Sequence, residues 1–171
     1  MIKLNEEVLP YELANTLWDY DSNSGVLTWK INKGVAKLGY IAGSTNTRGY
    51  INISYGGHLY YAHRLAWLLY YKRWPDSNLI IDHIDGNKTN NKIENLRECT
   101  RSQNKQNSTL YKNNALGIKG VRFIAERNLY IARIYVKGQA VYLGSFKTAE
   151  DARDAYNTKA EELFGAFHKQ S

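Results

Sequence analysis

The chain of 171 residues has one cysteine and two prolines. The single thiol, Cys99, can form no internal disulfide, and without a cysteine pair the zinc ribbon and zinc knuckle are excluded. Any metal must then be held by oxygen and nitrogen donors. No apolar run approaches the roughly 18 residues that a membrane span requires. The opening "MIKLNEEVLPYEL" has acidic residues where a signal peptide would be basic and then apolar, so the reading is a soluble, cytoplasmic protein. No internal repeat and no low-complexity tract is present, which excludes solenoids and propellers. An ordinary apolar fraction rich in tyrosine excludes wholesale disorder.

What is there begins with charge. The net formal charge of +7 and a pI near 9.4 favour a polyanionic partner, nucleic acid or an anionic membrane surface, without choosing between them. From Lys112 to Lys147 the basic residues are Lys112, Lys119, Arg122, Arg127, Arg133, Lys137 and Lys147, against Glu126 alone, so most of the excess charge is assigned to this stretch.

The patterning predicts an α+β chain. "LPYELANTLWDYD" suggests a short helix with Pro10 in its first turn and Leu13 and Leu17 on one face, ending before Asp21. "SGVLTWKI", "GYIAGS" and "RGYINISYGGHLYYA" read as short antiparallel strands, with Gly56-Gly57 as the tightest hairpin. "AHRLAWLLYYKRWPD" places Leu65, Leu68 and Leu69 on one helical face and stops at Pro75. There follow a strand at "NLIID", a polar turn, a strand at "ENLREC", and a helix from near Arg101 through Asn104, started by a Thr100/Gln103 capping box. Past a linker, three β-rich segments broken at Arg127-Asn128 and Lys137-Gly138 form a meander. A helix capped at Thr148 covers it, with Ala149, Ala152, Ala155, Tyr156 and Leu163 as its apolar stripe, and ends at Gly165. The domain reading is a β-rich extension over 1–55, a central module over 56–110, a linker over 111–116 and a sheet-and-helix module over 117–171.

The chemistry-bearing stretch is "LIIDHIDGNKTNNKIENLRECTRSQNKQN", residues 79–107. Phosphodiester hydrolysis needs a base for water, a cation to neutralise the transition state, and a group to hold the base's tautomer. His83 can be the base, since an ordinary imidazole is largely neutral at physiological pH. Asp82 and Asn104 suit a hard cation that prefers oxygen and keeps several waters, and Asn95 can hold the imidazole N–H. Alternation along a strand points Asp82 and His83 to opposite faces, so they serve one site only if the strand ends or twists there. The competing reading is turn-making, assigned here to Asp85, Asn87, Asn90 and Asn91, with Asn91 bracing the loop.

"IDHIDGNKTNNKIENLR" followed by "SQNKQN" resembles the HNH nucleases, in particular the phage and intron homing endonucleases with their ββα-metal motif, and "AHRLAWLLYYKRWP" resembles the segment that precedes the motif in phage members. The resemblance implies His83 as general base, Asp82 and Asn104 as metal ligands and Asn95 as the residue orienting His83. The third motif letter is Asn, not His. A neutral ligand there leaves Asp82 as the only charged one, which suits loosely held Mg²⁺ or Mn²⁺. His63 is assigned to packing or capping, and His58 and His168 to no site.

In the last segment, alternation over "YIARIYV" turns Ala132 and Ile134 toward the helix and Arg133 and Tyr135 outward, where basic and aromatic side chains suit phosphates and base edges. "KGVR", "IARI" and "VYLGSFKTAEDARDAY" resemble the ethylene-response-factor (APETALA-type) DNA-binding domain. That resemblance implies DNA contacts at Lys119, Arg122, Arg133, Tyr135 and Tyr142. The tryptophans of the plant domains are missing and Arg133 replaces an acidic position, so plant sequence specificity is not carried over.

Together these predict a metal-dependent endonuclease of phage or mobile-element homing type that nicks or cuts double-stranded DNA, as monomer or homodimer, with no membrane partner. The alternatives are a DNA-binding regulator with an inactive nuclease module and, ranked last, an RNA-directed protein.

Overall fold

The computed structural model describes residues 9–34, 36–107, 116–136 and 138–165, so residues 111–115 of the expected linker, together with Lys112, Lys137 and His168, lie outside the described residues. The chain forms two compact units, the first ending at Arg101 and the second beginning at Ser102.

The first unit opens with helix α1 (Tyr11–Leu17), with Pro10 as its extended N-cap. Its buried pair is Ala14 and Leu17, one turn apart, while Leu13 is exposed, so the predicted apolar face is rotated by one residue. Strands β1 (Trp18–Asp21) and β2 (Val26–Trp29) form an antiparallel hairpin whose tip is tied by Asp21, which accepts from the Asn23 amide and the Ser24 hydroxyl. A second sheet follows, with β3 (Ser44–Thr45), β4 (Ile51–Tyr55) and β5 (His58–Tyr61) in that order. The predicted strand at "GYIAGS" is reduced to an isolated antiparallel bridge of Ile41 to Thr28, with backbone bonds of Gly39, Tyr40 and Ala42 to β2, and the two residues of β3. Gly56 and Gly57 both have positive φ, as a two-residue hairpin matched to strand twist requires.

Helix α2 (Ala62–Tyr71) ends at Lys72 in the left-handed conformation (φ 57°), three residues before Pro75. The proline therefore follows the helix stop rather than making it. Strands β6 (Ile80–His83) and β7 (Leu96–Cys99) pair antiparallel, with Asp82 opposite Arg97 and His83 opposite Leu96. Helix α3 (Arg101–Asn107) straddles the boundary between the units.

One core joins these pieces. Trp18 is fully buried at its centre, with Trp29, Tyr55 and Tyr60 around it at ring-centroid distances of 5.4 to 6.2 Å, and Leu65, Leu68, Ile81 and Leu96 bring in α2 and the β6–β7 hairpin. The expected N-terminal extension thus shares its core with the β6–β7 hairpin. Rings of this size, packed edge to face, contribute more than their buried area alone.

In the second unit β8 (Val121–Ile124), β9 (Leu129–Val136) and β10 (Gln139–Phe146) form the meander in the order β10-β9-β8, covered by α4 (Ala149–Phe164). Thr148 caps α4 by accepting from the Asp151 amide. The buried stripe is Ala152, Tyr156 and Ala160, at strict four-residue spacing, whereas Leu163 is exposed. Small alanines let helix and sheet approach closely, and Gly120 completes the fit: a Cβ there would meet the Tyr156 ring at 2.2 Å and the Arg133 carbonyl oxygen at 2.5 Å.

Candidate active site

His83 is the last residue of β6, which meets the condition under which it and its neighbour Asp82 can serve one site. Both are buried. Asp82 Oδ2 accepts from Arg97 Nε at 3.0 Å and lies 2.9 Å from Arg97 Nη2, across the strand pair. The sequence reading missed Arg97; facing strands with opposite charges two residues inside a hairpin were the available signal.

The His83 ring is held by Asn91. Its Nε2 lies 3.0 Å from Asn91 Oδ1. A carbonyl oxygen only accepts, so in this arrangement Nε2 carries the proton and Nδ1 is the basic nitrogen. Burial is the largest influence on the ring and pulls its pKa below the ordinary 6.5, against the Asn91 bond and the carboxylates of Asp85 and Asp82, which favour the charged form.

Asn95 does not orient the imidazole as predicted. Its Nδ2 donates to Asp85 Oδ1 at 2.9 Å and to the Asn90 carbonyl at 2.8 Å, and its Oδ1 accepts from the Asp85 amide at 3.0 Å. Both amide hydrogens are spent on the loop between β6 and β7. Asp85 ties the same loop by accepting from Asn87 N at 2.7 Å and from Asn90 Nδ2 at 2.7 Å. The turn-making reading of Asp85, Asn87 and Asn90 matches these bonds, and the bracing residue Asn91 is the one that reaches the ring.

His63, assigned to packing, is a close neighbour of the candidate base. Its ring meets His83 edge to face at 5.1 Å, stacks on Tyr61 at 5.3 Å and lies 5.4 Å from Tyr50. Burial first, then the nearby His83 and Arg64, lower its pKa to about 3, so it is neutral at physiological pH. Lys88 sits over the Tyr50 ring at 4.7 Å and donates to the Arg48 carbonyl, bringing cationic charge to the same side chains.

Asp82 belongs to the first unit and Asn104, half-buried on α3, to the second. No group of three or more His, Cys, Asp or Glu side chains that could hold a metal stands together among the described residues. A carboxylate such as that of Asp82 and an amide oxygen such as that of Asn104 are donors of the kind a hard cation that keeps several waters accepts.

Residues 60–106 match the family described as HNH endonuclease. The chain is 33% identical over 87 residues to Protein 3.8 of Escherichia phage T7, covering 51% of this chain and 71% of that one. This chain belongs to the HNH endonuclease family. It is also 40% identical over 105 residues to an HNH endonuclease of Acanthamoeba polyphaga mimivirus, itself uncharacterized, covering 61% of this chain and 54% of that one. The chain thus spans about half the length of that relative. A solved structure of the HNH homing endonuclease I-HmuI, described as DNA binding and cleavage, aligns with 86% of this chain and 77% of its own at 21% identity and a TM-score of 0.40.

In the second unit of this HNH protein, strand pairing puts Arg122 opposite Ile131, Tyr142 opposite Arg133 and Ala140 opposite Tyr135, all on the face away from α4. Arg122, Arg133, Tyr135 and Tyr142 are exposed there, and Tyr142 shares a 2.7 Å hydrogen bond with Ser145. Lys119 precedes β8 and is half-buried, and burial lowers its pKa. A second basic stretch lies in the first unit. Residues 22–75 hold seven basic residues, among them Lys30, Lys33, Lys37 and Arg48, and no acidic one. Among the described residues no helix is long and apolar enough to cross a membrane.

Proposed function

We propose that this chain is a metal-dependent DNA endonuclease of homing type that cleaves one strand of double-stranded DNA per site. The observation that carries the reading is the buried His83 at the end of β6, its Nε2 held by Asn91, beside the carboxylate of Asp82. Nδ1 of His83 takes a proton from the attacking water. The lowered pKa keeps the ring neutral and ready to accept. Asp82 and Asn104 would hold Mg²⁺ or Mn²⁺, which when bound neutralises charge on the scissile phosphate and the leaving 3′ oxygen. Asn95 and Asp85 keep the loop closed so that Asn91 stays on the ring. Hydrolysis leaves a 5′ phosphate and a 3′ hydroxyl.

The second unit is read as an ethylene-response-factor-type DNA-binding module, with Lys119, Arg122, Arg133, Tyr135 and Tyr142 as its contacts. The open, basic and aromatic sheet face supports this. The partner is double-stranded DNA; a monomer nicks, and a double-strand break requires two copies or two events.

One observation favours a second reading, a DNA-binding regulator with an idle nuclease module: the Asp82 carboxylate is already engaged by Arg97. Supercoiled plasmid incubated with wild type and His83→Ala, in Mg²⁺, Mn²⁺ or EDTA, separates the two. Open circles that need metal and fall by about 10²- to 10⁴-fold in the variant are expected of a general base. DNA bound but left intact under all conditions, with a plasmid carrying the cognate target included, favours the regulator.

A further inference from the structure

The β1–β2 hairpin makes three contacts with residues 91–93, the segment whose Asn91 holds the candidate base. Tyr20 Oη donates to the Asn91 carbonyl at 2.7 Å, the Ser22 carbonyl accepts from Ile93 N at 3.2 Å, and Gly25 presses its backbone on the same segment. A Cβ on Gly25 would stand 2.4 Å from Lys92 N and 2.5 Å from the Asn91 carbonyl carbon, and its φ of +77° is one that side-chain-bearing residues rarely adopt. The tip that makes these contacts is itself stiff. Asp21 accepts from Asn23 N and Ser24 Oγ, and Gly25 N donates to the Asp21 carbonyl.

Asn91 is therefore gripped on its backbone by one hairpin while its side chain grips His83 on another. It is 1% exposed, and its Nδ2 is buried with no hydrogen-bond partner among the described residues. An unpaired buried donor is costly, so retaining an amide there is explained by what its other end does. We infer that the β1–β2 hairpin is a clamp for the catalytic ring: Tyr20 and Gly25 are positioning residues that fix Asn91, and Asn91 fixes His83. The inference rests on His83 being the reacting group, and it gives the N-terminal segment a part in catalysis separate from any contact with DNA.

The test uses the full chain with ¹⁵N-labelled histidine at pH 8. Tyr20→Phe removes one hydroxyl and is expected to move the His83 ring nitrogen resonances while those of His58 stay in place. It should lower kcat for plasmid nicking about three- to tenfold at unchanged KM, the size of one hydrogen bond expressed in rate. Ile53→Val, which trims the same core away from Asn91, serves as control and should leave both readouts at wild type. Wild-type resonances and kcat in Tyr20→Phe, or equal changes in Ile53→Val, overturn the clamp. Should the wild type cleave nothing, the proposed nuclease reading fails on its own, and the ring resonances alone still decide: displaced, the clamp stands; unmoved, it falls.

Discussion

In the first unit the polar side chains His63, Asp82, His83, Asn91 and Asn95 are all buried, whereas in the second the polar residues of interest, Arg122, Arg133, Tyr135 and Tyr142, stand on an open sheet face. The cores differ in the same sense. The first is built around tryptophan and tyrosine rings packed tilted or edge to face, the second on alanine, valine, isoleucine and one tyrosine. Burying a polar group costs free energy unless it is bonded, so the first unit gives up stability to hold a few side chains in fixed places. A surface that meets phosphates needs only charge at the right place, and a thin core is enough to present it. With the proposed division of labour, chemistry in the first unit and recognition in the second, the two roles call for opposite treatments of the same residue types.

The largest effect that would sharpen this contrast is at Gly120. Its φ of +72° and the Tyr156 ring standing where a Cβ would go leave no room for a methyl group, and the thin core has no slack to absorb one. Gly120→Ala is expected to destabilise the second unit by about 3 kcal/mol, from overpacking together with left-handed strain. All four tryptophans lie between Trp18 and Trp74. Thermal melts followed by tryptophan fluorescence should therefore stay near wild type while far-ultraviolet circular dichroism gains an early transition. A fluorescence melt shifted equally would show that the two cores are not separate.

The next effect belongs to the buried histidines. His63 is held neutral, with its folded pKa lowered to about 3 from an ordinary 6.5. Above pH 6.5 both folded and unfolded chains leave it uncharged, so its contribution is fully present there. As pH falls through the window from 6.5 toward 3 the unfolded chain takes up a proton that the folded one refuses, and stability drops by about 1.4 kcal/mol for each pH unit. His83, with its own lowered pKa, acts in the same direction. Urea melts from pH 7 to 4.5 should show the first unit weakening, and His63→Phe should flatten that slope. An unchanged slope in the variant would place the acid sensitivity elsewhere.

The meander, the Thr148 cap and the β6–β7 hairpin were legible in the sequence because each rests on local signals: alternation, turn residues, a cap three residues before its partner. The ring partner was not. Asn91 and Asn95 are both asparagines in one polar loop, and only the bonds that consume Asn95 on Asp85 and Asn90 tell them apart. Arg97 was missed although its charge opposite Asp82 was a signal, and His63 packs as read, but its closeness to His83 comes from the packing of α2, which leaves no mark on the residue itself. The apolar stripe of α1 came out one position off, with Ala14 buried in place of Leu13, and that of α4 was right at Ala152 and Tyr156 but closes on Ala160 instead of Leu163, since the tight space takes an alanine and not the larger leucine.

The smallest effect probes the exposed face. Arg133 lies directly opposite Tyr142 on the central strand, exposed, with its side chain away from the alanine-lined interior. Replacing it with alanine should leave folding unchanged, since it removes nothing from the core. If the side chain meets a phosphate, affinity for duplex DNA falls by about tenfold and the dependence of log affinity on log salt loses about one unit of slope, uniformly across sequences. If it reads a base edge, the loss is concentrated on one target position instead and the salt slope barely moves. Binding measured across a salt series on cognate and scrambled duplexes separates these, and unchanged affinity on both would remove the central strand from the interface. The contrast between the units then has a kinetic form: Arg133→Ala should raise KM for cleavage with kcat held, because a contact made equally before and during reaction alters binding alone.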